Sequence, residues 1–223
     1  MALSAKVFRL GEYIPFDVIY DKLSKYRVSE DLNGIVIERF FRDLSYSGNI
    51  LKAEYVYDEP MEIDVGGEIK LLPRRRYALT AFTEFEGNIY LIILEKKFRA
   101  NKIALALSEI LFIRRDMVLE AYTTHEILKG LHEANPESTR VIYFDNVNIP
   151  NINKLALYGM SLADTTLYSR YLEHGYIWYV VFEHKETGYV VGVTRNMIIA
   201  MFSNITSDEF INFIIDHLIP LIR

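Results

Sequence analysis

Two distant stretches of this chain share one punctuation. "RYALTAFTEFEGNIYLIILEKKFRANKIALALSEIL" starts at Arg76, and "GYVVGVTRNMIIAMFSNITSDEFINFIIDHLIPLI" starts at Gly188. Each reads as strand, tight turn, strand, short polar break and amphipathic helix. Apolar residues change from a period of two to a period near 3.6 at the break. A strand pair with an apolar face must bury that face, and the helix that follows is placed to cover it. The residues upstream extend the parallel. "AKVFRL" reads as a strand, and Phe16, Ile19, Tyr20 and Leu23 then recur at helical spacing behind Pro15. "GIVIERFFRDL", "NILKAEYVYD", "VGGEIKLL" and "RYALTAFTEF" follow as strands. In the second half "DMVLEAY" is a strand, and Thr123 with Glu126 predicts a capped helix. "TRVIYFDNV", "NKLALYG", "YIWYVVFEH", "GYVVGVTR" and "NMIIAMFS" are strands, and Thr206 with Glu209 opens the final helix. The expected fold is therefore α+β. It consists of two tandem antiparallel-sheet repeats, residues 1–115 and 116–223, each running strand, helix, four or five strands, helix.

This element order resembles that of the TATA-binding-protein-like fold superfamily, most clearly over "VGVTRNMIIAMFSNITSDEFINFIIDHL". The resemblance implies a sheet used as a platform for nucleic acid, protein or a second copy of the chain. The family's DNA-kinking members wedge paired phenylalanines into the minor groove. No "FPGL"-like segment occurs here, so the resemblance does not extend to TATA-box binding. "SLADTTLYSRYLEHG" (Ser161–Gly175) reads as an additional helix. A helix-grip fold around a small apolar ligand has a similar element order and is the alternative architecture.

Composition narrows the function. The chain has 223 residues and a formal net charge of −5, with 51% hydrophobic and 25% charged residues. It has no cysteine, which excludes disulfides and thiolate metal sites. It also lacks glutamine, a bias that points to a thermophile source. No apolar run reaches the roughly 18 residues of a membrane helix, and the N-terminus carries no signal-peptide core, so a cytoplasmic location and no membrane partner are expected.

The acidic total hides a basic segment. Ten basic and four acidic residues lie between Lys70 and Arg115. "PRRR" opens one strand, and "EKKFRANK" closes its hairpin partner. The two ends of an antiparallel hairpin are adjacent. Arg74, Arg75, Arg76, Lys96, Lys97 and Arg99 are therefore expected on one rim, as a nucleic-acid or anion-binding site or as a solvated sheet end. Tyr77 heads one apolar stripe, and Trp178 lies in another with Tyr176, Val180 and Phe182; these form either core or a partner surface.

No phosphate loop, dinucleotide fingerprint, nucleophile elbow or metalloprotease motif is present. No catalytic residue, cofactor or metal site is expected. His125 and His132 are seven residues apart on one helix, too far to share an ion. The asparagine-rich "DNVNIPNIN" suits left-handed turns. The expected function is non-catalytic macromolecule binding, with DNA or RNA at the basic rim. The alternatives are a protein scaffold or homodimer and a small apolar ligand carrier.

Overall fold

A computed structural model of the chain describes residues 3–134, 137–160, 162 and 165–223. The architecture is α+β, with twelve strands and five helices among these residues and mostly antiparallel pairing. The chain forms two compact units. One is Phe8–Leu119; the other joins the start of the chain, through Val7, to Glu120–Arg223. The sequence reading puts the division at 115/116 and keeps the N-terminus with the first half. Strand β1 (Leu3–Leu10) explains the difference, because its first residues pair antiparallel with β12 (Ile198–Met201) from Leu3↔Met201 to Lys6↔Ile198.

In the Phe8–Leu119 unit, strands β2 (Arg27–Leu32), β3 (Ile35–Ser47), β4 (Ile50–Val65), β5 (Glu68–Phe85) and β6 (Asn88–Ile93) pair in chain order. Helices α1 (Phe16–Lys25) and α2 (Lys97–Phe112) supply the core with Ile19, Leu23, Ala100, Ile103, Ala104, Leu107 and Leu111. These meet Leu51, Ala53, Tyr55, Ala78 and Phe82 from the sheet. Strand β2 was not anticipated. Its "RVSEDL" is almost wholly exposed and lacks the apolar alternation that marks a strand. The turn Asn33-Gly34, with φ of 53° and 85°, makes the hairpin.

The segments around "VGGEIKLL" and "RYALTAFTEF" are one 18-residue strand, β5, passing straight through Pro73. Pro60 of β4 sits directly opposite Pro73. Pairing with β3 stops at Arg39↔Tyr57, and pairing with β6 starts at Thr80↔Ile93. The prolines thus lie in a two-stranded ribbon with no third strand to need their missing N–H groups.

In the other unit the strand order is β1, β12, β11 (Val190–Thr194), β10 (Tyr176–Glu183), β8 (Thr139–Asp145) and β9 (Leu155–Tyr158); the short β7 (Val118–Glu120) straddles the division of the chain. Fully buried Lys6 is ion-paired with Glu120. Helices α3 (His125–Ala134), α4 (Thr166–His174) and α5 (Ser207–Phe213) complete it; α5 continues as a π-turn, Ile214–Leu218, and a short 3-10 turn. Phe144 faces Tyr168 and Tyr171 of α4, at ring-centroid distances of 6.5 and 5.7 Å.

The Thr206–Glu209 capping box forms as read. The Thr123–Glu126 pair does not. Thr124 accepts the Ile127 N–H at 3.3 Å, while the Thr123 hydroxyl donates to the Leu221 carbonyl at 2.8 Å. Of the expected Ser161–Gly175 helix, Ser161, Ala163 and Asp164 lie outside the described residues. Gly175 ends α4 in extended backbone. A Cβ there would sit 3.1 Å from the Asp145 carbonyl oxygen, so close approach accounts for the glycine.

Candidate anion-binding rim

Three consecutive arginines on a strand cannot share a surface, because side chains alternate. Arg75 lies opposite Asp58, and Arg76 opposite Tyr57. Arg75 donates Nε to Asp58 Oδ1 at 2.9 Å and Nη2 to Asp58 Oδ2 at 3.0 Å, and a further bond to Glu38 at 2.8 Å. Glu38 also accepts from Arg27 at 2.8 Å, and its N–H donates to Asp58 Oδ2 at 3.0 Å. The guanidinium groups of Arg27 and Arg75 lie 4.8 and 5.9 Å from the Phe40 ring centroid. Hydrogen bonds from Arg75 hold the Asp58 carboxyl below the usual carboxylate range; bonds from Arg27 and then Arg75 do the same for Glu38. The Arg75 guanidinium is pushed up by the same two acids. Arg75 is tied into the sheet and separated from the two arginines beside it.

Arg74 and Arg76 point to the other face. Arg76 donates to Glu59 at 3.3 Å, and exposed Arg74 reaches no carboxylate among the described residues, where it meets the Met61 sulfur at 3.9 Å. Tyr57, on this face, is buried, and its hydroxyl has no hydrogen-bond partner among the described residues. Burial pushes its ionisation up to about 12, with Glu95, Glu59, Arg99 and Arg76 all close enough to act on it. Arg76 from β5 and Arg99 from the start of α2 thus both lie near Tyr57.

That helix start is unusual. Lys96 is the cap residue, and no side chain caps the helix. The first turn contains no acid; it carries Lys97 and Arg99 instead. A helix N-terminus bears roughly half a positive charge and favours anions, by about 0.3–1 kcal/mol per surface group. Only Glu95, just outside, answers this. It accepts the Lys96 N–H at 3.0 Å and two bonds from Arg99 at 3.3 and 3.2 Å. Lys96 and Lys97 are exposed and have no ion-pair partner among the described residues. Between Lys97 and Arg99 stands Phe98, 80% exposed. The "KKFR" run carries this aromatic in the sequence, off the apolar stripe of Ala100, Ile103, Ala104, Leu107, Ile110 and Leu111.

Of the two aromatics expected at a partner surface, Tyr77 is 51% exposed, with the Arg42 guanidinium 5.0 Å from its ring centroid. It shares the Arg75 side of β5 and so is separated from Phe98. Trp178 sits at an irregularity in the β10–β8 register. It lies in a cluster with Tyr143 and Tyr179, at centroid distances of 5.7 and 5.8 Å, and Lys154 Nζ is 4.8 Å from its ring. His125 accepts the Ile177 N–H at 2.8 Å through Nδ1. His132 is fully buried against Tyr168, 4.5 Å away, and neither of its ring nitrogens has a partner among the described residues.

Exposed Arg74 stands on β5, and the start of α2 can offer a phosphate backbone N–H groups with no side-chain cap and the cations of Lys96 and Lys97. It also offers a base an exposed ring. Compared with known proteins, the chain matches no protein-family model and no curated sequence, so function is to be read from these residues.

Proposed function

We propose that the protein is a non-catalytic nucleic-acid-binding protein whose contact surface is the rim formed by Arg74, Arg76, Lys96, Lys97, Phe98 and Arg99. The observation that carries this reading is the uncapped start of α2, where cations gather at a place that electrostatics reserves for anions. A bound phosphate would reverse that penalty. Phe98 supplies a face for an unstacked base, which favours a single strand over a duplex. Arg75 is left out of the contact set, because Asp58 and Glu38 take its Nε and Nη2 donors and balance its charge. The repeated order of strand, helix, antiparallel strands and helix supports the further proposal that the two units are copies of one TATA-binding-protein-like repeat. On that reading the chain is a platform protein of the cytoplasm.

Fluorescence anisotropy with labelled single-stranded DNA and RNA tests the proposal. Wild type is expected to bind at low salt. Lys97→Glu is expected to weaken binding about tenfold or more, and Phe98→Ala to weaken it by the equivalent of about 1–3 kcal/mol, the worth of one stacked base. Absence of binding to single-stranded and duplex probes at low salt would refute it.

One observation favours a protein partner instead. Ile69, Leu72 and Val65 are exposed on the β4–β5 ribbon, at 72%, 44% and 47%. That reading expects association that tolerates salt and is lost in Ile69→Lys.

A further inference from the structure

The hairpin turn after β10 and the end of the C-terminal helix bring together two imidazoles and a carboxylate. His184 follows the last residue of the strand, Glu186 stands on the exposed turn, and His217 lies in the π-turn that extends α5. Their ligand atoms all lie within 4.8 Å of one another. The two imidazole centroids are 4.4 Å apart, and Phe213 packs against both rings at 5.3 and 5.0 Å. These residues are 33 positions apart in sequence at their widest, so no local motif announces them.

We propose that His184, Glu186 and His217 form a binding site for a first-row divalent transition-metal ion of the Zn²⁺ type. Two imidazoles and one carboxylate are a donor set suited to such ions and poorly matched to Mg²⁺ or Ca²⁺, which take oxygen ligands. Tetrahedral Zn²⁺ with bonds of about 2.0–2.1 Å holds its ligand atoms roughly 3.4 Å apart. The widest separation must therefore close by about 1.4 Å, and Glu186, on an exposed turn, has the freedom to do it. The outer partners are in place. His184 Nδ1 lies 3.2 Å from the Thr187 hydroxyl, which leaves Nε2 for the ion and fixes the ring. Backbone bonds hold the turn itself: His184 N–H to the Tyr189 carbonyl and Gly188 N–H to the His184 carbonyl, both 2.8 Å. Phe213 and Tyr189, 5.8 Å apart, form an apolar wall beside the rings. A π-turn widens the helix by one residue per turn and recurs at functional positions. Here it carries His217. Three protein ligands leave a fourth position for water, and the ion would tie the β10–β11 turn to the C-terminal helix.

The test uses the full chain without an affinity tag, freed of metal by a chelator and titrated with Zn²⁺ by calorimetry and with Co²⁺ by visible absorption. One equivalent of each is expected to bind, Co²⁺ with the intense bands of a site of low coordination number. His184→Ala and His217→Ala are expected to weaken Zn²⁺ binding about 100-fold and Glu186→Gln about tenfold, while His174→Ala, outside the cluster, leaves it unchanged. No saturable binding by wild type refutes the site. Unchanged affinity in Glu186→Gln together with either histidine variant also refutes it. If a histidine variant does not fold, Glu186→Gln decides alone, since its exposed turn tolerates the change, and unchanged affinity there overturns the assignment.

Discussion

Substituting Arg75 separates a structural arginine from its neighbours most sharply. In Arg75→Ala the Asp58 carboxylate, whose side chain is only 3% exposed, loses two charge-assisted bonds and keeps one from the Glu38 N–H. Glu38 loses one of its two arginines. Breaking a buried pair by removing one partner costs about 3–5 kcal/mol, and an exposed pair is worth about 0–1. The Arg75 side chain is 42% exposed, so the pair stands between these limits, and a loss of about 2–3 kcal/mol is expected. Arg74→Ala, which removes no ion pair, is expected to stay within about 0.5 kcal/mol. Urea unfolding of the two variants beside wild type gives both values. The double variant Arg75→Met/Asp58→Leu leaves no stranded carboxylate and should be more stable than Arg75→Ala. Equal midpoints for Arg74→Ala and Arg75→Ala would refute this division of roles, as would a double variant less stable than Arg75→Ala.

Acid should act through the same lattice. Asp58 and Glu38 have lowered folded-state pKa values, so their stabilisation is present above the unfolded carboxylate range, near pH 4, and is lost as pH falls through the folded values. Acid titration of Arg75→Met should show a smaller loss below pH 4 than wild type. His132 behaves as a buried base. Burial lowers its pKa, so the unfolded chain binds a proton first and stability falls as pH drops below about 6.5 toward the folded value. His132→Phe, followed by urea unfolding at pH 5 and 8, should reduce that slope, leaving the part due to His125 and His184, whose pKa values burial also lowers. Gly192→Ala would put a Cβ 2.3 Å from the Tyr179 hydroxyl and 2.8 Å from two of its ring carbons. Tyr179 must move, at a cost of about 1–3 kcal/mol. The single tryptophan, Trp178, lies beside Tyr179 and should report the shift in its fluorescence.

Periodicity carries most of the fold. Helical spacing groups Ala100, Ile103, Ala104, Leu107, Ile110 and Leu111, and Phe210, Phe213, Ile214 and Leu218; all are buried except Ile110, which is partly exposed. Strand β2 escaped because its residues are polar on both faces, although Asn33-Gly34 is a strong hairpin signal. The fusion into β5 escaped because Pro73 reads as a strand breaker unless a bare ribbon is foreseen. At the rim, hairpin geometry is the sequence's reason to expect Arg76 near α2. Strand alternation was also available to separate Arg75 from Arg74 and Arg76. The partners that neutralise Arg75 come from β3 and β4, and register across three strands is not written in any one of them. His184, Glu186 and His217 meet only through tertiary packing.

The salt dependence of single-strand affinity tests the account most directly. Each phosphate contact to a single strand contributes a slope of about −0.7 in log affinity against log salt. The triple variant Arg74→Ala/Lys96→Ala/Lys97→Ala should therefore bind more weakly than wild type and flatten the slope by about 2, while Arg75→Met leaves the slope unchanged. A slope that is unaltered in the triple variant, or that falls only in Arg75→Met, would contradict the assignment of the α2 rim as the phosphate-binding surface.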